Sequence, residues 1–183
     1  MESLQGKFLI ATPQMPDPRF KEQLIYMCSH NDDGAMGLIV NHPSEYSLLE
    51  IFKSANLTIS DNKDLPPIYI GGPVDVETAF FLYSSGYESE HELSISEDVS
   101  LSRDPQILND IAQGKGPHDF MFVLGYSGWA PGQLEAELTV NGWLTLPSQN
   151  EILFQTPDAD KWKRAALQFG IDISLYTDEI GTA

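Results

Sequence analysis

Seven short apolar runs, each bounded by turn formers, most constrain what this chain can fold into: residues 8–12, 24–28, 37–41, 68–70, 79–83, 120–124 and 152–154. Runs of this length read as strands, and their near-continuous apolarity reads as strands covered on both faces. Asn31-Asp-Asp-Gly34 predicts a hairpin turn between the second and third runs, because Asp-Gly reaches positive φ at little cost. The first three runs follow one another closely, which favours antiparallel pairing there.

Helix signals are fewer. Ser47-Leu-Leu-Glu50 has the capping-box pattern, and Ile51, Phe52 and Ala55 continue an apolar face. Asp104-Pro105 opens a second helix with Ile107, Leu108, Ile111 and Ala112 as its stripe and Gly114 as its stop. Pro131 opens a third through residues 133–138. Thr156-Pro157 opens a fourth, on which Trp162, Ala165, Ala166 and Phe169 are expected to face inward before Gly170. Strands and helices do not alternate regularly. The expected fold is therefore α+β: one compact domain over residues 1–183, with a mixed, strongly bent or barrel-like sheet flanked by helices. The clearest polar loop, residues 60–67, is too short to divide the chain.

Charge narrows the partners. Ten basic residues against 27 acidic ones give a net charge of −17, which argues against nonspecific binding to nucleic acid or anionic membrane. Lys161, Lys163 and Arg164 form the one basic cluster and read as a solvated helix face. The most acidic stretch, residues 88–98, spreads five acids without metal-loop spacing and reads as a solvated strand or loop. No apolar run approaches the ~18–20 residues of a membrane helix. The opening Met1-Glu2-Ser3-Leu4 is unlike a signal peptide. A single cysteine, Cys28, makes no internal disulfide, so a cytoplasmic location is expected. Cys28 sits in an apolar run and reads as an inert buried thiol.

Known chemistries fit poorly. Gly125-Tyr-Ser-Gly-Trp129 resembles a nucleophile elbow but has Trp129 where the tight turn needs glycine, so Ser127 reads as a turn residue. His30, His42, His91 and His118 are isolated, and no thiolate cluster exists, so no metal site is expected. Glu135 and Glu137 are the most tempting carboxylate pair. At a spacing of two they diverge by roughly 200° on a helix, which fits capping or packing better than paired catalysis. Gly71-Gly72-Pro73 reads as a strand-to-turn device. No cofactor signature is present.

Taken in order, several blocks resemble the AlgH/YqgE family of bacterial proteins. They are Gly6-Lys-Phe-Leu-Ile-Ala-Thr-Pro-Gln-Met15, Asp17-Pro18, Phe20, His30-Asn31 and Asp33-Gly-Ala-Met-Gly-Leu-Ile-Val-Asn41. Tyr69-Ile-Gly-Gly-Pro-Val74 and Ser102-Arg103-Asp104 follow. Leu124-Gly-Tyr-Ser-Gly-Trp-Ala-Pro-Gly-Gln-Leu-Glu135 is the most specific block, with Glu137 and Trp143 after it. The chain departs from the family pattern at Leu82-Tyr83, where the family often has Leu-His, and at its closing Gly181-Thr182-Ala183, where Gly-His-Ala is common. The resemblance implies a compact α+β fold with a barrel-like sheet. It carries no settled activity and no catalytic residues; members are often labelled transcriptional regulators.

The expected function is a non-enzymatic cytoplasmic binding or regulatory module, acting through a protein partner or small ligand, with homo-oligomerisation open and direct DNA contact disfavoured. Its expected pocket wall is Gly71, Gly72, Arg103, Tyr126, Trp129 and Gln133; Arg103 could pair an anionic ligand, although capping a helix or pairing with a local Asp is the favoured reading of that residue. The alternative is a metal-assisted hydrolase using Glu135 or Glu137.

Overall fold

A computed structural model describes residues 2–12, 15, 17–59, 65–140 and 142–172. Residues 60–64 of the polar loop and the closing Gly181-Thr182-Ala183 lie outside them. Three strands, β1 (Lys7–Ala11), β2 (Leu24–Asn31) and β3 (Gly34–Ile39), form an antiparallel meander. The hairpin turn falls where Asn31-Asp-Asp-Gly34 predicts it. Next come α1 (Leu48–Ser54), β4 (Ile68–Ile70), β5 (Val74–Ser84), β6 (Glu92–Ser94), β7 (Val99–Ser102) and α2 (Gln106–Ala112). The described chain closes with β8 (Phe120–Trp129), α3 (Gln133–Thr139), β9 (Trp143–Pro147) and α4 (Asp158–Gln168). The sheet order is β6-β7-β5-β8-β3-β2-β1-β9, with β4 added against β8. Among the described residues only the β4–β8 ladder is parallel, so the sheet is mixed. It curls into a half-barrel, as the α+β reading expects.

Side-chain alternation sorts the interior into three clusters. Phe8, Leu24, Tyr26, Cys28 and Leu38 point into the concave face and meet Leu82, Leu101, Met121 and Val123 from the other half of the sheet. Ala165 and Ala166 of α4 close the open end of this cluster. The alternate residues Leu9, Ile25, Met27 and Ile39 lie on the convex face of the meander, under Leu134 and Leu138 of α3. On the convex face of the other half, Phe81, Tyr83 and Phe122 are covered by Leu48 and Phe52 of α1 and by Ile107 and Ile111 of α2. Cys28 is fully buried in the concave cluster, and burial pushes its thiol well above the usual range.

Strand β8 joins the halves. Its first part pairs with β5 and β4, its second part with β3. Between them Gly125 takes φ 69° and shifts the alternation by one residue. Met121 and Val123 face the concave cluster, and so does Tyr126; Trp129 is thereby delivered to the α3 side. Gly71 and Gly72 fill the notch so formed. Gly71 donates its N–H to the Leu124 carbonyl at 2.8 Å and accepts from the Ile39 N–H at 2.9 Å.

Several readings need correction. Residues 152–154 are not a strand but the middle of a π-helical turn, Glu151–Gln155, that buries Ile152 and Leu153. Three apolar residues satisfy either period, and α4 rather than a sheet edge receives them. Ser127 is a buried strand residue, not a turn. Ser47 sits at the start of α1 without a side-chain cap bond. Phe169 is 39% exposed, so it lies outside the inward stripe of α4.

The basic cluster is also split. Lys161 is only 2% exposed; its ammonium donates to the Val40 carbonyl at 2.8 Å and pairs with Asp158 at 2.8 Å, above the Tyr69 ring. Arg164 pairs with Glu151 at 2.9 Å.

Candidate functional site

Helix α3 builds the site. Pro131 and Gly132 start it, and the Gln133 side chain turns back to accept the Ala130 N–H at 3.0 Å. One turn on, the Gln133 amide donates to Glu137 Oε1 at 2.9 Å. The other oxygen of Glu137 accepts two indole N–H groups, from Trp129 at 2.9 Å and from Trp143 at 2.7 Å. The two indoles meet edge-to-face at 6.0 Å, and Phe20 packs on Trp143 at 5.3 Å. A half-buried carboxylate thus ties the last residue of β8, the first of β9 and α3 together.

Beside this knot lies a cavity of about 200 Å³. Trp129, Phe20, Met15 and Val140 supply apolar wall, while Gln133 and Glu137 supply polar groups. Asp17 and Arg19 border the same cavity as a closed pair. Asp17 accepts from the Arg19 backbone N–H at 3.0 Å and from its guanidinium at 2.6 Å, and these bonds hold the Asp17 carboxyl below the usual range.

Glu135 projects elsewhere. His30 donates from Nε2 to Glu135 at 2.8 Å, because its Nδ1 already accepts the Leu4 N–H at 3.0 Å. The hydrogen bond from His30 is the main reason the Glu135 carboxyl lies below its ordinary value of 4.5. A carboxyl depressed by folding stabilises the fold above its ordinary range, and that contribution is lost as pH falls through the folded-state value. Glu135→Gln is therefore expected to be less stable than wild type at neutral pH, with the gap in urea midpoint closing in acid below pH 4.5. A gap of constant size down to acid pH would assign the effect to shape instead of charge. The two glutamates diverge as a helix requires.

The six residues expected to share a pocket wall are split. Trp129 and Gln133 line the cavity, and Gly71 and Gly72 lie behind β8, where Ser127 Oγ donates to the Gly71 carbonyl at 3.2 Å. Tyr126 faces the concave side and packs on Phe80, and Arg103 sits over the far end of that contact, 5.7 Å from the Phe80 ring. Arg103 is outside the cavity lining, so an anion held by Arg103 would not sit beside Trp129. Glu137 enters the site as its central polar group. Phe20 and Asp17 also take part, and long-range pairing brings them in without a local signal. Among the described residues no group of three or more His, Cys, Asp or Glu is placed to hold a metal ion, and no helix is long and apolar enough to cross a membrane.

The sequence model of the family described as DUF179, AlgH-like, matches residues 8–174. The chain belongs to the AlgH-like family. It is 42% identical over 183 residues to a UPF0301 protein of Desulfotalea psychrophila, covering 99% of this chain and 95% of that one. A UPF0301 protein of Methylococcus capsulatus is 40% identical, with 98% and 96% covered. The solution structure of the AlgH protein from Pseudomonas aeruginosa superposes with a TM-score of 0.77 at 39% identity, over 99% of this chain and 96% of that one. A Corynebacterium diphtheriae protein shares the fold at a TM-score of 0.76 and 18% identity, covering 97% and 93%. Two of the AlgH-like blocks meet at the site. Gly125-Tyr-Ser-Gly-Trp129 is the kinked half of β8, and Glu137 with Trp143 completes the indole–carboxylate knot.

Proposed function

We propose that this AlgH-like protein is a cytoplasmic binding module that holds a small ligand in the cavity beside α3 and acts through that ligand or a protein partner, without catalysis of its own. One observation carries the reading: the cavity has an apolar wall and a carboxylate whose orientation is already fixed by three donors. Small-ligand sites combine these features, with polar groups placed before the ligand arrives. The knot also argues against Glu137 as a free general base, since its acceptor positions are largely occupied, and Glu135 is engaged by His30. The inward turn of Lys161 leaves α4 a weak platform for a phosphate backbone, which supports action without direct DNA contact.

Native mass spectrometry of the protein taken directly from cells tests the reading. The expected result is a folded chain carrying extra mass that is released on unfolding. Val140→Trp fills the cavity mouth from a position 65% exposed, so the variant is expected to fold and to come out bare. A bare wild-type chain, or an adduct that survives Val140→Trp, would count against this cavity.

A further inference from the structure

We propose that the group seated in this cavity is a cation: an alkylammonium or guanidinium head on a short aliphatic stem. The inference rests on the ligand-binding reading above and adds the chemistry of the ligand.

Glu137 decides it. The three groups that hold its carboxylate, two indoles and one amide, are all neutral. They orient the charge without cancelling it. Among the described residues no lysine, arginine or histidine pairs with Glu137. A carboxylate offers about four acceptor positions, so Oε1, with a single donor, keeps room for one more. The nearest guanidinium at the cavity, Arg19, is already engaged through its Nε and its terminal nitrogen by Asp17. The rim pair adds no net charge, and the cavity keeps the full negative charge of Glu137. An anionic ligand would meet that charge with no unpaired cation among the described lining residues to offset it. A cation would complete it with a charge-assisted hydrogen bond. The rest of the wall agrees: Trp129 and Phe20 line the cavity with aromatic rings, a residue type whose faces attract cations, and Met15 and Val140 suit an aliphatic stem. The net charge of −17 draws cations toward the surface at long range.

The same head groups occur on free amines and on lysine or arginine side chains of a protein. The test uses n-butylammonium and n-butylguanidinium, with n-butanol and butyrate as neutral and anionic counterparts of similar shape. Binding to the full chain is read from the indole N–H signals of Trp129 and Trp143 by NMR. The two cations are expected to shift these signals saturably, with an affinity that falls as salt is raised. Glu137→Gln keeps an oxygen for the indoles but removes the charge, and is expected to weaken the cations at least ~10-fold. Val140→Trp is the second variant, expected to block binding without touching Glu137. Comparing n-butylammonium with a doubly blocked lysine peptide separates the two sources: tighter binding of the free amine points to a small metabolite, and tighter binding of the peptide to a partner protein. Butyrate or butanol binding as well as the cations would overturn the charge assignment and leave the cavity in place. Cation binding indifferent to both variants would overturn the site. No saturable shift with any cation would overturn the inference, while a cell-derived adduct displaced by Val140→Trp would still support a ligand cavity.

Discussion

Gly72→Ala is expected to destabilise the fold by ~3 kcal/mol or more. Gly72 has φ 154°, and a Cβ placed there would run into the backbone of Tyr126 and Ser127. Backbone cannot step aside as a flexible side chain can. Gly125 is locked from the other direction, since its own Cβ would press on the Gly72 carbonyl at 2.8 Å and the Val74 carbonyl at 3.0 Å. The notch therefore packs main chain on main chain, and the methyl would force β4 away from β8. Gly114→Ala is the control. It also has positive φ, 73°, but nothing lies within 4 Å of its Cβ, so it should cost only the local ~1–2 kcal/mol. Urea unfolding of both variants checks this; equal losses would mean that the notch is not what requires glycine.

Lys161→Ala is expected to lose about 3 kcal/mol, also by urea unfolding. The loss does not come from a strong ion pair. Burial holds the Lys161 ammonium below its ordinary value, and the attraction of Asp158 works in the opposite direction. What costs is the orphaning of its partners: the Val40 carbonyl loses its lysine donor, and Asp158 keeps the Tyr69 hydroxyl at 3.1 Å but no cation. Lys161→Met should restore packing and leave the charge of Asp158 unbalanced. Adding Asp158→Asn should then recover most of the stability, because a neutral amide needs no counter-charge. A loss in Lys161→Ala within ~0.5 kcal/mol of zero would place this contact with ordinary surface pairs.

Much of the fold was legible because most of its strands bury both faces, and apolar runs such as residues 24–28 and 120–124 announce that directly. The strand over residues 99–102 was not. Val99 and Leu101 alternate with Ser100 and Ser102, yet all four are buried, because Ser100 donates to Glu92 and Ser102 bonds with Ser89. Polarity hid a buried strand there. The run at 120–124 is longer than it looked because Gly125 bends β8 without ending it. At the site, the divergence of Glu135 and Glu137 followed from helical geometry alone. Their partners did not. His30 lies 105 residues before Glu135, and only the β2–β3–β8 pairing brings the two into reach. The same limit explains Arg103: as one of few cations in an acidic chain it suggested an anion partner, whereas the β5–β7 ladder sets it over Phe80.

The place of β8 in the sheet has a consequence for how the chain is made. In strand order β5 and β3 neighbour each other only through β8, and β1 is paired on its outer side by β9. Both closing strands come late in the sequence, β8 from Phe120 and β9 from Trp143. While the ribosome is still adding residues before Phe120, the strand that joins the β2–β3 hairpin to the β5–β7 ladder does not yet exist, so β3 and β5 each lack a neighbour. Assembly must wait for Phe120–Trp129 to emerge and for its glycine notch to seat, so folding is governed by late, distant pairings of the kind that proceed slowly. The window of vulnerability for this protein is its own synthesis, and the segment that ends it is the one that also carries Trp129 to the cavity.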